Sequence, residues 1–419
     1  MKQHHKIIRD SIHGNIEFDD FFSHLLDAPE LQRLSGIKQL GLAHLVFPGA
    51  HHTRLEHSFG AFHLASKISV SMELPTFEKH HLMCAALLHD VGHGPFSHTL
   101  ESLLRNRFNV DHVDLTKQLI KGTYDIFHDH ERSFLSSHHT VPEILEQYGM
   151  DAEIITQIIS GTYQDHPYLA QLLNSVIDVD QIDYLLRDAY YTGVSYGMID
   201  SQRFIQTLEI HDENLAIDRK GVGVVENVLM ARALMYSSVY FHKTVRIAEL
   251  MLSKCLELIP EMSPYEYFKM NDGELFSDLN SKHPFQKEIL VRLKYRQLFK
   301  QAYELPAYKK NETHTRILKD LEDPKNREQK EKELSETLNI PEGYIIIDVP
   351  ERDLLQAEPR IQETNISIIN NDDVKPLHEY TPVGEAIRMR AIPDWAIMII
   401  TDEIYRAQVA EHAEPLIFS

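Results

Sequence analysis

Cysteine and long apolar runs are both scarce in this 419-residue sequence. Its two cysteines, Cys84 and Cys255, are too few for a disulfide framework or a cysteine-ligated zinc cluster. The longest apolar runs fall short of the roughly 18 to 20 residues that span a bilayer. Residues 1–6 also lack the roughly 7-to-15-residue apolar core of a secretory signal. We therefore expect a cytoplasmic protein with no membrane partner.

Basic residues are outnumbered by acidic ones, with 42 Lys and Arg against 63 Asp and Glu and a net charge of −21. Such a balance repels a phosphodiester backbone and argues against nucleic-acid binding. A small anion can still be held by a local cationic pocket, because the nearest charges and any metal ion govern a buried site. Histidine is abundant, with 26 residues, so only position can identify the functional ones.

A motif with metal-ligating side chains follows the first long helical pattern. The seven residues before His89 are all apolar, so we expect a buried helix that delivers His89 and Asp90 into the interior. Burying a polar group without a partner costs roughly 2 to 7 kcal/mol, and a divalent cation offsets that cost. The motif consists of Arg54-Leu55-Glu56-His57 and, later, Leu88-His89-Asp90-Val91-Gly92-His93-Gly94-Pro95-Phe96-Ser97-His98.

Imidazole and carboxylate ligands together suit Mg, Mn, Fe or Zn as the cofactor. The fourth ligand is best supplied by Asp180, on the polar face of its predicted helix. Asp183 is less suitable, because Arg187 lies four positions further on and can pair with it. The small Gly60 shares a helix side with His57, and we expect it to leave room for a ligand. The candidate metal ligands are therefore His57, His89, Asp90 and Asp180.

Apolar periodicity predicts a mainly α-helical bundle with small β-hairpins, followed by a smaller α+β module. Dense alternating charge between residues 303 and 340 predicts a solvated helix or a linker. The expected domains are residues 1–302, 303–340 and 341–419. Within them we expect hairpins at 6–19 and 205–222, two helices at 21–45, two short helices at 141–160, single helices at 172–191 and 224–258, and strands at 344–349, 366–369 and 395–400.

The set His57, His89-Asp90 and Asp180 resembles the four-ligand signature of the HD-domain phosphohydrolase superfamily. The surrounding runs are similar to its deoxynucleoside triphosphate triphosphohydrolase branch over about residues 6 to 260. The resemblance implies an HD-domain fold and cleavage of a deoxynucleoside triphosphate to the deoxynucleoside and triphosphate. These runs are Ile37-Lys38-Gln39-Leu40-Gly41, Val46-Phe47-Pro48-Gly49-Ala50, Arg54-Leu55-Glu56-His57-Ser58, residues 89–98 and residues 180–188.

The same resemblance implies roles for several histidines. His98 would be the general acid that protonates the leaving 5′ oxygen, because the pKa of histidine lies near neutral pH. His93 would contact the α-phosphate region. The pair His130 and Glu131 matches a His-Glu pair that assists the catalytic histidine, with His112 as another candidate.

Phosphate binding is expected from Arg54 and Lys243, with Arg232 assisting, because a triphosphate needs several fixed cations besides a metal. Four residues at i, i+4, i+8 and i+11 form one stripe of the predicted helix 224–258: Arg232, Tyr236, Tyr240 and Lys243. By resemblance Tyr240 would pack against C2′ of the sugar, and Tyr236 stands where vertebrate members have histidine. The residues expected at the 3′-hydroxyl are Gln39, Tyr184 and Asp188.

Two departures from the vertebrate members affect ligand binding. Gln181 replaces the lysine that follows the fourth metal ligand, which removes a cation. Ser35 replaces an arginine of the activator pocket, although Asp27 of that pocket is retained. Activation by GTP is therefore not expected, while another nucleotide effector stays open.

Three functions stay open on sequence grounds. The first is a metal-dependent triphosphohydrolase with a nucleotide substrate, assembled as a homodimer or homotetramer as in similar proteins. The second is another HD phosphohydrolase, such as a nucleotidase or phosphoester hydrolase. The third is a nucleotide-binding sensor or scaffold that acts by assembly, which the intact ligand set disfavours.

Overall fold

The computed structural model describes residues 5–96, 110–135, 139–259, 264–350, 366–371, 373–388 and 394–418. In these ranges the protein is mainly helical, which confirms the expected fold class. The first ten helices are α1 Asp20–Leu26, α2 Pro29–Gln32, α3 Arg54–Ser71, α4 Thr76–Leu88, α5 His112–Ile120, α6 Asp129–Arg132, α7 Val141–Tyr148, α8 Ala152–Ile159, α9 Pro167–Leu173 and α10 Val179–Thr192. The other ten are α11 Ser201–Gln206, α12 Val222–Met235, α13 Lys243–Glu257, α14 Pro264–Lys269, α15 Asp272–Ser281, α16 Pro284–Lys294, α17 Glu312–Leu321, α18 Pro324–Leu338, α19 Val383–Arg388 and α20 Arg406–Ile417.

The strands form small sheets around the helices. β1 and β2 make an antiparallel hairpin, β3-β4-β7-β8 make a second sheet, and β5-β9-β6 make a third. β4 and β7 pair in parallel, whereas the other neighbouring strands are antiparallel. The strands are β1 Lys6–Asp10, β2 Gly14–Phe18, β3 Leu208–His211, β4 Asn214–Asp218, β5 Lys300–Pro306, β6 Ile345–Asp348, β7 Ser367–Asn370, β8 Asp373–Pro376 and β9 Trp395–Thr401.

The structure confirms both predicted hairpins, the two short helices α7 and α8, and the three C-terminal strands. The predicted helix pair at 21–45 is only partly right. Helices α1 and α2 are followed by 3-10 turns at Arg33–Gly36 and Gly41–Leu45 instead of a second long helix. Gly41 has a positive φ of 48°, which an α-helix does not allow.

The predicted helices 172–191 and 224–258 are partly right: most of each range is helical, but each is interrupted. Residues 174–178 separate α9 from α10, and Asp178 caps α10 by accepting a hydrogen bond from Gln181 N. The second pattern contains a π-helical turn, Tyr236–Tyr240, and the side chain of His242 caps the start of α13. Apolar periodicity continues across both breaks, so it does not reveal them.

The main core lies around α3 and α4, which pack against each other, with α10 against α3. The apolar run at the end of α4 is buried, as expected. The stacked rings of Phe18 and Phe62, with centroids 4.7 Å apart, join the N-terminal hairpin to α3. No described helix is long and apolar enough to cross a membrane.

The C-terminal part is built from two sheets. β5 starts at Lys300, before the expected boundary at residue 302, and pairs with β9 of the C-terminal module. One sheet therefore contains residues from both sides of that boundary. The charged segment forms helices α17 and α18, and α18 contacts β6. β7 instead extends the sheet that contains β3 and β4. The domain boundaries at 302 and 340 stay predictions.

Candidate metal centre and substrate pocket

Three helices present the candidate metal ligands. A capping box at Thr53 starts α3, because Thr53 N donates to Glu56 Oε2 over 2.7 Å and the Thr53 hydroxyl accepts from Glu56 N. This places His57 one turn into the helix. His89 follows the last residue of α4, and Asp180 lies in the first turn of α10.

The ligand atoms of His57, His89 and Asp180 lie within 4.8 Å of one another. His57 Nε2 is 3.2 Å from His89 Nε2 and 2.9 Å from Asp180 Oδ1, and the latter is 3.6 Å from His89 Nε2. A point equidistant from three atoms at these separations is about 1.9 Å from each, close to the usual ligand distance of roughly 2.0 to 2.2 Å for Zn. The donor set therefore fits a divalent cation.

The electrostatics also favour a positive charge at this point. Burial lowers the pKa of His57, but hydrogen bonds to Asp180 and Asp183 outweigh burial and raise that pKa to about 10. The carboxylates that attract a proton would equally attract a cation. The metal identity stays open between Mg, Mn, Fe and Zn.

Asp90, the other predicted ligand, lies beside this cluster, and its role as a metal ligand stays a prediction. Its Oδ1 is 3.4 Å from His89 Nε2 and 3.2 Å from His93 Nε2, while Oδ2 accepts from Arg54 Nη1 over 2.6 Å. Burial raises the pKa of Asp90, but His89 and Arg54 outweigh it and hold the pKa well below its usual range. Arg54, expected at the phosphates, is buried and already contacts a carboxylate next to the metal cluster.

A second layer of side chains orients His57. Its Nδ1 donates to Asp183 Oδ2 over 2.8 Å, which leaves Nε2 facing the metal cluster. Asp183 also accepts from His13 Nε2 at 2.6 Å and Arg187 Nε at 2.9 Å, and Arg187 Nη1 donates to Asp10 Oδ2. The predicted pairing of Asp183 with Arg187 is confirmed, but the pair is buried and not on the helix surface as expected. Sequence reasoning missed His13, which lies in the turn of the N-terminal hairpin and has no local motif that indicates this contact.

The space beside Gly60 is not a ligand cavity, contrary to our expectation. A Cβ at this position would lie 1.8 Å from Asp183 Oδ1 and 2.5 Å from Arg187 Nη2. The missing side chain therefore lets α10 approach α3 and admits the buried Asp183–Arg187 pair.

The loop after Asp90 is held by neighbouring elements. Arg33 Nη2 donates to the carbonyl oxygens of Val91 over 2.9 Å and His93 over 2.6 Å. The ring of His93 stacks on His112, with centroids 3.9 Å apart. Burial lowers the pKa of His93 well below its usual value, and Arg54 lowers it further.

Among the described residues, His112, the alternative to His130, is a histidine whose ring contacts that of His93. His130 is exposed and its ring lies near that of His128, while Glu131 caps its own helix by accepting from His128 N. The assisting roles of His130 and Glu131 stay predictions. His98 lies outside the described residues.

The residues expected at the sugar are joined around Asp188. Asp188 Oδ1 accepts from His52 Nε2 over 2.7 Å and Oδ2 accepts from the Tyr240 hydroxyl over 2.6 Å. The ring of Tyr184 packs edge-on against Tyr240, with centroids 6.1 Å apart. Gln39 is connected through its backbone N–H, which donates to the carbonyl of His52. Sequence reasoning missed His52.

The predicted stripe on α12 and α13 divides at the π-helical turn. The rings of Tyr236 and Tyr240 are 5.0 Å apart, and the guanidinium of Arg232 lies 5.6 Å from the centre of the Tyr236 ring. Lys243 instead pairs with Glu304 of β5 over 2.6 Å and lies over the ring of Trp395. In this structure Lys243 therefore contacts the C-terminal sheet.

Gln181 and Ser35, the two residues that depart from the vertebrate pattern, form hydrogen bonds with nearby residues. Gln181 Nε2 donates to Ser175 O over 2.9 Å, so Gln181 supports the turn before α10. Ser35 Oγ donates to Gln32 O, and Asp27 pairs with Lys6. None of these contacts tests a nucleotide effector, which stays a prediction.

Comparison with known families matches residues 54–188 to the HD domain and residues 199–417 to the HD associated region. An uncharacterized protein of Methanocaldococcus jannaschii is 32% identical over 402 residues, which cover 94% of this chain and 78% of that protein. The deoxynucleoside triphosphate triphosphohydrolase SAMHD1 homolog of Dictyostelium discoideum is 31% identical, with 72% of this chain and 60% of that protein covered.

A solved structure shows the same architecture. The crystal structure of a hypothetical protein from Aquifex aeolicus has a TM-score of 0.70 and 29% identity, covering 98% of this chain and 100% of that chain. The HD-domain match also includes His57, His89-Asp90 and Asp180. The chain therefore belongs to the HD-domain phosphohydrolases and is related to the SAMHD1-type members of that superfamily.

Proposed function

We propose that the protein hydrolyses deoxynucleoside triphosphates to the deoxynucleoside and inorganic triphosphate, and that the reaction depends on a divalent cation. One observation carries this proposal: helix α10 bears both Asp180 at the metal cluster and Asp188, which is hydrogen-bonded to Tyr240. Eight residues of α-helix rise about 12 Å. A ligand with a phosphate at one end and a sugar hydroxyl at the other could contact both.

The metal cluster would act on the phosphate end. His57, His89 and Asp180 would hold the cation, which when bound lowers the pKa of water and neutralises phosphate charge. Asp183 keeps His57 in the orientation that this requires. Arg54, 2% exposed, places positive charge next to the cluster and keeps Asp90 fixed.

Attack by water at the α-phosphorus would break its bond to the 5′ oxygen of the sugar. That oxygen then needs a proton, and a histidine is suited to donate it near neutral pH. His98 is our candidate from the sequence, five residues after His93, whose ring stacks on that of His112. His98 would donate this proton, and His93 would position the α-phosphate.

The sugar end would lie at Asp188. With one donor on each oxygen, from His52 and Tyr240, the carboxylate still has lone pairs that can accept from a 3′-hydroxyl. Tyr184, Tyr236 and Tyr240 would supply the apolar wall beside the sugar.

The product profile tests this function. The purified protein is incubated with each of the four deoxynucleoside triphosphates and Mg²⁺ or Mn²⁺, and the products are separated by ion-exchange chromatography. We expect inorganic triphosphate and the deoxynucleoside in equal amounts. Release of pyrophosphate or orthophosphate would instead identify another HD phosphohydrolase, and ligand-dependent assembly without turnover would identify a sensor.

Asp180→Asn is the matched inactive variant, and Asp165→Asn, at an exposed position, is its control. We expect Asp180→Asn to lose bound metal and triphosphate release together, because a ligand of the cation is removed. Metal content is measured by inductively coupled plasma mass spectrometry. An Asp180→Asn protein with full metal content would show that Asp180 is not a metal ligand.

Light scattering on the same preparations tests whether the protein is a homodimer or a homotetramer, as predicted.

A further inference from the structure

His52 is the buried partner of Asp188 that the sequence did not indicate. Its side chain is 0% exposed, and its Nε2 lies 2.7 Å from Asp188 Oδ1. A carboxylate accepts hydrogen bonds, so the Nε2 of His52 must carry a proton. The other oxygen of Asp188 is held by the Tyr240 hydroxyl. Two donors from separate elements thus fix the carboxylate.

The surroundings of His52 place the proton that it donates on Nε2. Its Nδ1 is buried and has no hydrogen-bond partner among the residues that the structure describes. A proton on Nδ1 would leave a buried donor unsatisfied, and such orphaned N–H groups are rare in folded proteins. His52 therefore offers one donor, and that donor is used on Asp188.

The position of the His52 ring is fixed from two sides. Tyr191 stacks on it, with ring centroids 4.6 Å apart and planes at 16°, and the Tyr191 hydroxyl donates to Glu56 Oε1 over 2.9 Å. The backbone of His52 accepts from Gln39 N over 3.0 Å. Gln39 is itself a predicted sugar-binding residue, so His52 connects it to Asp188.

We propose that His52 is a positioning residue that holds Asp188 as the acceptor for the 3′-hydroxyl of the sugar, and thereby makes the pocket selective for nucleotides that carry this hydroxyl. The inference rests on the proposed function for the identity of the substrate. Without His52, the carboxylate has lost one of its two fixed donors and can turn away from the sugar. The loss then affects ligands with a 3′-hydroxyl more than ligands without it.

The test compares His52→Ala and His52→Gln with wild type and with His51→Ala, which changes the exposed neighbouring histidine. For each protein kcat/KM is measured with a deoxynucleoside triphosphate and with its 2′,3′-dideoxy counterpart. We expect His52→Ala to lower kcat/KM about tenfold or more for the first substrate and at most about threefold for the second, since one hydrogen bond to a charged group is lost. His52→Gln should recover part of the difference, because its amide can donate to Asp188.

A second measurement does not depend on turnover. The Kd values of the deoxynucleoside and the dideoxynucleoside for the metal-containing protein are compared by isothermal titration calorimetry. Wild type and His51→Ala should prefer the deoxynucleoside, and His52→Ala should lose that preference. Equal losses for both ligands, or no preference in wild type, would overturn the role of His52. A wild type that shows the preference but releases no triphosphate would overturn only the proposed reaction.

Discussion

Helix α10 brackets the imidazole of His57 with two carboxylates three positions apart. Asp180 Oδ1 lies 2.9 Å from Nε2 of His57, and Asp183 Oδ2 lies 2.8 Å from Nδ1. Asp180 therefore shares the metal side of the ring, while Asp183 holds the opposite side. One helix supplies both a candidate ligand and the group that orients another ligand.

Replacing Asp183 with Asn tests the orienting role. The amide cannot accept from His57, His13 and Arg187 together with the strength of a carboxylate, so His57 should be held less firmly. We expect metal affinity to fall about 10- to 100-fold, as for other partners of metal-bound histidines. Competition with a chelator of known affinity measures the change. Unchanged affinity would show that Asp183 serves only the fold.

The close approach at Gly60 predicts a second effect on the same pair. Gly60→Ala places a Cβ where Asp183 and Arg187 lie, so we expect unfolding free energy to fall by about 1 to 3 kcal/mol and metal affinity to fall with it. Gly223→Ala is the control, because a Cβ at that position meets nothing within 4 Å. This control should be neutral or stabilising by up to about 1 kcal/mol. Urea denaturation distinguishes the two variants.

Substitution of Arg33 should lower activity without lowering metal content. Arg33→Met removes the donors to the carbonyls of Val91 and His93, so the loop that carries His93 should lose its fixed position. Because misplacement of about 1 Å can cost roughly 100-fold in rate, we expect kcat to fall at least about tenfold. The metal content should stay equal to that of wild type.

Arg132→Met is the control for Arg33, because Arg132 is exposed and pairs with Asp125 at the surface. A surface pair of this kind contributes little to stability because water screens it, so activity and stability should hardly change. Equal effects of the two substitutions would contradict the role of Arg33.

The buried carboxyl of Glu30 should make the stability of the protein depend on pH. Burial raises its pKa to about 7, and the side chain is 3% exposed, with Oε1 accepting from Val141 N. The folded state then binds more protons than the unfolded state between about pH 4.5 and 7, so this residue lowers stability as pH rises through that window. Glu30→Gln should match wild type near pH 4.5 and exceed it above pH 7 by about 1 to 3 kcal/mol.

The measurement for Glu30 is urea denaturation at several pH values. Glu17→Gln, at an exposed position, serves as the control and should follow the wild-type profile. A Glu30→Gln variant with an unchanged pH profile would show that the carboxyl is ionised in the folded protein without cost.

Local patterns were sufficient for the elements that begin and end within a few residues. Both hairpins and the pair α7 and α8 follow from alternation, helical periodicity and turn residues, which act over short distances. The breaks before α10 and at the π-helical turn were missed, because apolar spacing continues through them. The side chains of Asp178 and His242 cap the new helices, and their geometry is not visible in periodicity.

The sequence also indicated His57, His89 and Asp180, which the structure brings together as a group that could hold a metal ion. Their role as ligands stays a prediction. The sequence did not indicate the histidine partners of Asp183 and Asp188. His13 lies 170 positions from Asp183 and His52 lies 136 positions from Asp188, and these contacts depend on how distant segments pack. The same packing turned the space at Gly60 into a site for Asp183.

By itself, the sequence determined the helical character of the protein and the identity of the residues that can hold a cation, because residue chemistry and short-range spacing are local properties. The tertiary structure decided which side chains these residues contact. It placed Arg54 on Asp90, Lys243 on Glu304 and His52 on Asp188. These choices depend on the packing of helices far apart in the chain, and local spacing contains no measure of that packing.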